Sequence, residues 1–178
     1  AEEGITEQDA KVIGYTQDHG RGLILLVNKW DLLADNKKRQ QQLMEEIARA
    51  VPFVGFAPLI TVSALTGVGF KRLFPAVGSV YRQFTATCPT SAQNRLLADA
   101  TDNHSPPSYK NKRLKLYYTS QISSAPPTFV IMTNSYKGVH FSYKRYLVNR
   151  YRDGLDLDRV PIRLIFKDKK EQRSRRSG

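Results

Sequence analysis

Five consecutive aliphatic residues, Leu23-Ile24-Leu25-Leu26-Val27, give way abruptly to Asn28-Lys29-Trp30-Asp31. A run without polar alternation reads as a strand buried on both faces, as in parallel sheets covered by helices on each side. Its polar end then falls at the carboxyl edge of the sheet, where open α/β folds hold ligands. A second run, Pro58-Leu59-Ile60-Thr61-Val62, passes into Ser63-Ala64-Leu65-Thr66-Gly67-Val68-Gly69, a glycine-bearing loop whose N–H groups belong at the same edge. Helices separate these strands. Thr6 with Asp9 three residues later caps one that runs to His19 and stops at Gly20, and Asp35 to Ala50 forms a second, closed by Pro52. A third, Lys71 to Phe84, carries Leu73, Val77, Val80 and Phe84 on one face. The first half is thus part of a doubly wound α/β fold.

The Asn-Lys-x-Asp spacing has a chemical use. Guanine presents a ring N–H beside an exocyclic amine, and one carboxylate can accept from both, whereas adenine lacks that pair of donors. Asp31 is the candidate carboxylate. Asn28 can bond the base edge or nearby backbone, and the Lys29 stem can lie along the base face. The competing reading is an ordinary turn and helix cap after a strand, since Asn and Asp are common there. The second loop shifts the balance toward base recognition. No Gly-x-x-x-x-Gly-Lys-Ser/Thr and no Asp-x-x-Gly occurs, so the phosphate and magnesium side of a nucleotide site has no residues in this sequence. Two apolar strands and three helices are half of such a domain, with an unpaired sheet edge.

Among 178 residues the net charge is +12. Residues 1–87 hold 10 Lys/Arg against 9 Asp/Glu, and residues 88–178 hold 18 against 7, a net of +11. Such asymmetry favours a polyanionic partner for the second half, nucleic acid first among them. No apolar run approaches the length of a membrane span, the opening residues are acidic, and a single cysteine fits a reducing cytosol. A cytoplasmic protein without membrane contact is expected. Three histidines and one cysteine offer no metal-ligand spacing.

The character of the chain changes between Thr85 and Pro89. Ser91 is the expected cap of a helix to Asp102 with Leu96, Leu97 and Ala100 inside, and Asn103 to Ser108 should be extended. Lys112 to Thr119 alternates as a half-buried strand with Arg113, Lys115 and Tyr117 outward, and Thr128 to Thr133 returns after Pro126-Pro127. A helix capped by Ser142 places Tyr143, Leu147 and Tyr151 on one face, with Lys144, Arg145, Arg150 and Arg152 around them. Val160 to Phe166 alternates again, Ile162, Leu164 and Phe166 inward. The order α-β-β-α-β implies a small α+β domain, and a charged tail from Lys167 or Asp168 to Gly178 should be disordered.

Taken together, these residues resemble the Der (EngA) family, bacterial ribosome-assembly GTPases with two tandem G domains and a C-terminal KH-like domain. The matching pieces include Glu3-Gly4-Ile5-Thr6-Glu7-Gln8-Asp9, Val27-Asn28-Lys29-Trp30-Asp31-Leu32, Val62-Ser63-Ala64, Tyr118-x-x-Gln121, Pro126-Pro127-Thr128-Phe129, Ser142-Tyr143-x-Arg145-Tyr146-Leu147 and Val160-Pro161-Ile162-Arg163-Leu164. The resemblance implies three parts: residues 1–87 as the C-terminal half of the second G domain, 88–167 as the KH-like domain, and 168–178 as a basic tail. It implies GTP or GDP as ligand, with magnesium held by segments not in this sequence, and the large ribosomal subunit and its RNA as partner. The base-recognition positions it carries over are Asn28, Lys29 and Asp31, joined by Ser63 and Ala64; no catalytic residue is carried over. Gly138 alone stands near the turn where KH domains place Gly-x-x-Gly. Contact with RNA phosphates is instead expected of Arg113, Lys115, Lys144, Arg145, Arg150 and Arg152. Tyr117, Val130 and Met132 are candidates for a surface against the absent G domain. The alternative is a non-enzymatic RNA-binding or protein-interaction module that touches no nucleotide. A dinucleotide enzyme is remote without Gly-x-Gly-x-x-Gly.

Overall fold

The computed structural model describes residues 3–169, which divide into two compact units. The first comprises residues 3–83 with Arg159–Pro161, and the second Phe84–Asp158 with residues 162–169. No described helix is long and apolar enough to cross a membrane.

In the first unit, α1 (Glu7–Asp18) starts at the expected cap: the Asp9 N–H donates to Thr6 Oγ1 at 3.2 Å, and the Thr6 N–H donates back to Asp9 Oδ2 at 3.0 Å. The bond from the Thr6 N–H, with a second from the Thr6 hydroxyl at 2.8 Å, holds the Asp9 carboxyl below its ordinary pKa. β1 (Leu25–Val27) pairs in parallel with β2 (Leu59–Thr61), with Val27 opposite Thr61. Between them lies α2 (Lys37–Ala50), begun by Asn36 and preceded by a 3-10 turn at Trp30–Leu33. Val27, Leu33, Leu43, Ile47, Val51 and Val54 form the core. α3 (Phe70–Phe84) follows and buries Val80, while Val77 stays 46% exposed.

β1 corrects one expectation, since it is not buried on both faces: Leu26 is 46% exposed. The reason is that this sheet has two strands among the described residues, so β1 is hydrogen-bonded on one edge, by β2. An apolar run built for the middle of a wide sheet here stands at a margin.

The second unit is built on α4 (Thr90–Asn103), a short hairpin β3 (Ser108–Tyr109) and β4 (Lys112–Arg113), then β5 (Leu116–Ser124), β6 (Pro127–Thr133), α5 (Phe141–Gly154) and β7 (Arg163–Asp168). β6 is central, antiparallel to β5 and parallel to β7, and all its residues are buried. Phe129 meets the Tyr151 ring edge-on at 5.0 Å between centroids. Leu147 and Tyr151 of α5 and Ala100 of α4 are fully buried. Asn94 fastens α4 to β5 by accepting the Thr119 N–H at 2.9 Å and donating to the Thr119 carbonyl at 3.0 Å. Gln121 ties the segment before α4 to β5, accepting from the Cys88 N–H and donating to the Ala86 carbonyl.

Several sequence expectations shift here. The helix cap before α4 is Pro89, with Ser91 inside the helix, and α5 is capped by His140, whose Nδ1 accepts the Ser142 N–H at 3.3 Å. The single strand expected over 112–119 is broken, because the Asn134 side chain takes the Lys115 N–H at 2.9 Å and donates to the Arg113 carbonyl at 3.0 Å, replacing the ladder there. The last strand continues through Lys167 and Asp168, which pair with Met132 and Thr133. The rest of the expected tail, 170–178, lies outside the described residues. Val130 and Met132 are 7% and 2% exposed, so neither offers a docking surface, and of that trio Tyr117 alone is exposed.

Truncating Leu147 to Ala in this packed setting should lower the unfolding free energy by about 2–5 kcal/mol, read as a lower urea midpoint. The Tyr143 hydroxyl donates to the His104 carbonyl, and burial, aided by Tyr146, pushes its pKa up to about 12. A raised folded-state pKa means that this contribution is intact below about pH 10, the unfolded value, and is lost as pH climbs toward 12. Stability should therefore fall more steeply over that interval in the parent than in Tyr143→Phe.

Candidate functional site

The tips of β1 and β2 carry the Asn-Lys-x-Asp and Ser-Ala-Leu loops, and parallel pairing sets them side by side. The join is specific. Asn28 Oδ1 accepts the Ala64 N–H at 3.0 Å and the Lys29 N–H at 2.8 Å, so one carboxamide oxygen spans both loops. The Trp30 N–H donates to the Val62 carbonyl at 3.0 Å. Lys29 is left-handed (φ 58°), which a lysine adopts only when its neighbours impose it.

The two uncharged loop positions act as scaffold in the protein alone. Ser63 is fully buried; its Oγ accepts the Thr66 N–H at 3.1 Å and its carbonyl the Gly67 N–H at 2.9 Å. Gly69 closes the loop at φ +87°, where a Cβ would collide with the Thr61 carbonyl oxygen. Arg72, which the sequence reading passed over, donates to the Thr61 carbonyl and hydroxyl, both at 3.1 Å. No short-range signal marks it.

Asp31 behaves differently. Its Oδ1 is buried and has no hydrogen-bond partner. A turn or cap role would have satisfied that oxygen with a nearby backbone N–H, as Asn36 does for α2. Buried polar atoms are mostly paired, and Asp31 Oδ1 shares this exception with Gln17 Oε1 and Gln93 Oε1.

Residues 1–104 match the family described as the elongation factor Tu GTP binding domain, and residues 88–167 match the KH-domain-like C-terminal family of EngA bacterial GTPase enzymes. A GTPase Der of Desulforapulum autotrophicum is 43% identical over 95% of this chain and 34% of its own length. Those of Geotalea uraniireducens and Syntrophotalea carbinolica are 41% and 44% identical, over 97% and 95% of this chain and 39% and 38% of theirs. This chain belongs to the Der (EngA) family. It spans between 34% and 39% of the length of these curated relatives. Its first unit has the class of the C-terminal half of a GTPase domain, and its second is the family's KH-like domain.

Within that KH-like unit the basic residues divide. Arg113, Lys115, Lys144 and Arg145 are exposed, on β4, the β4–β5 link and α5. Arg150 and Arg152 are half-buried; burial lowers the Arg152 pKa against the opposing pull of Asp153 and Asp158, which gives that guanidinium local carboxylate company.

Replacing Asn28 by Ala removes the oxygen shared by both loops. Hydrogen–deuterium exchange at the Ala64 amide should then accelerate by about 3- to 10-fold, the equivalent of one net hydrogen bond.

Proposed function

We propose that this chain is the base-selecting and RNA-facing portion of a GTPase that acts in assembly of the large ribosomal subunit. The buried, unpartnered Asp31 Oδ1 carries the first part of that reading. Guanine's ring N–H and exocyclic amine would donate to the Asp31 carboxylate, and the stem of Lys29 would lie against the base face. Asn28 would hold the two loops at the spacing this needs, with Ser63 and Ala64 building the second loop. An adenine would leave Asp31 buried opposite no donor, which a polar site rejects strongly. GTP or GDP is therefore the nucleotide we assign. Magnesium and the phosphate-binding groups would come from segments with the motifs this sequence lacks, so no hydrolytic step is derived from these residues. The names of the curated relatives, GTPase Der, support the same reading.

For the second unit, the excess of positive charge and the exposure of Arg113, Lys115, Lys144 and Arg145 support contact with ribosomal RNA phosphates in the cytoplasm, alongside a second contact with the remaining G-domain segments of the same protein.

The base-reading role is tested by Asp31→Asn in the full-length protein. The amide offers one acceptor and a donor, which suits xanthine's carbonyl where guanine has its amine. The ratio of affinities for GTP and xanthosine triphosphate should fall by at least about a hundredfold. A variant that still prefers GTP as the parent does would remove Asp31 from base recognition.

A further inference from the structure

The second unit contains a pocket of about 310 Å³ between the β3–β4 hairpin and the 3-10 turn Tyr136–Gly138. Lys110, Lys112 and Lys137 line it together with Tyr109, Asn134 and Ser135, and Leu114 closes its base; no carboxylate is among its lining residues. The walls are held by short-range geometry. Lys110 and Asn111 are both left-handed, with φ of 48° and 59°, the two-residue turn that brings Lys110 and Lys112 to the same end of the hairpin. Asn134, bonded to Arg113 and Lys115, pins the exit of β6 to the hairpin. Gly138 abuts the hairpin so closely that a Cβ would lie 2.8 Å from that of Tyr109. The glycine at this turn therefore serves close packing of the pocket wall.

The electrostatics of this pocket are one-sided. Three lysines and no carboxylate line it, and Asp168 has an oxygen occupied by the Tyr136 N–H. Two rings flank the cations: Lys110 Nζ lies 5.7 Å from the Tyr109 centroid and Lys137 Nζ 5.8 Å from that of Tyr136, which is 43% exposed. Cations around a small pocket with tyrosine faces at its rim suit a phosphate whose neighbouring bases are free to stack, the chemistry of a single strand and not of a duplex.

We propose that this pocket binds a backbone phosphate of single-stranded RNA, held by Lys110, Lys112 and Lys137. The proposal rests on the RNA-facing reading of the unit and gives it a location distinct from the α5 residues Lys144 and Arg145.

The test uses the whole 178-residue chain and a short fluorescein-labelled oligouridylate, with anisotropy titrations across a KCl series. The triple variant Lys110→Gln, Lys112→Gln, Lys137→Gln should bind about tenfold more weakly at moderate salt, and the slope of log affinity against log salt should fall by about 2. A charge-matched variant of the first unit, Lys37→Gln, Lys38→Gln, Lys71→Gln, should leave both quantities unchanged. Equal losses in the two variants would reduce the effect to net charge and overturn the pocket. Parent-like binding by the pocket variant would overturn the pocket while leaving the RNA reading intact. A parent chain that binds no oligouridylate at low salt would overturn the RNA reading itself and this proposal with it. Because all three lysines are surface side chains, an unchanged melting temperature confirms that the variant reports on binding.

Discussion

The parallel register of β1 and β2 is the constraint from which the first unit's chemistry follows. With Val27 opposite Thr61, both strands end at the same level, and the polar residues that follow must share a small space. Backbone pairing alone would leave two loops side by side and free to part. The Asn28 carboxamide prevents this by accepting one N–H from each loop. It converts two tips into one rigid rim, beneath which Ser63 and Gly69 determine the path of the second loop. Beside that rim Asp31 Oδ1 is buried without a hydrogen-bond partner.

The second unit follows a different rule. Its central strand β6 is covered by β5 and β7 at its edges and is buried along its whole length, so apolar packing sets its architecture. Polar side chains then refine it. Asn94 ties α4 to β5, Gln121 ties the segment before α4 to the same strand, and Asn134 substitutes for the ladder where the chain leaves β4 for β5. Each is an amide that donates and accepts at once, which is why such residues can stand in for a missing strand neighbour. The consequence for function is that the hairpin and the turn after β6 are held together firmly enough to leave a lysine-lined hollow.

Much of the framework of the candidate site was legible in the sequence. The apolar runs located both strands, their polar ends located the loops, and the four-residue spacing of Tyr143, Leu147 and Tyr151 gave the buried face of α5. Charge counting located the basic half. The failures have a common cause, since periodicity shows that a residue is apolar and not which partner covers it. Leu26 stays half out because its strand lacks a second neighbour here, whereas Val130 and Met132, read as surface, are buried on β6, which is paired on both edges. Arg150 and Arg152 were grouped with the exposed cations, yet their position along α5 draws them inward.

By itself the sequence determined that an Asn-Lys-x-Asp tetrad follows an apolar strand, that a second strand ends in Ser-Ala-Leu, and that the positive charge is gathered in the second half. These are properties of local order, and local order is what a linear chain states directly. Only the tertiary structure decided that Asn28 bridges the loops, that Asp31 Oδ1 is left without a donor, and that Lys110, Lys112 and Lys137 surround one hollow. Each of those outcomes depends on distances between residues far apart in the chain, and such distances are set by strand register and packing.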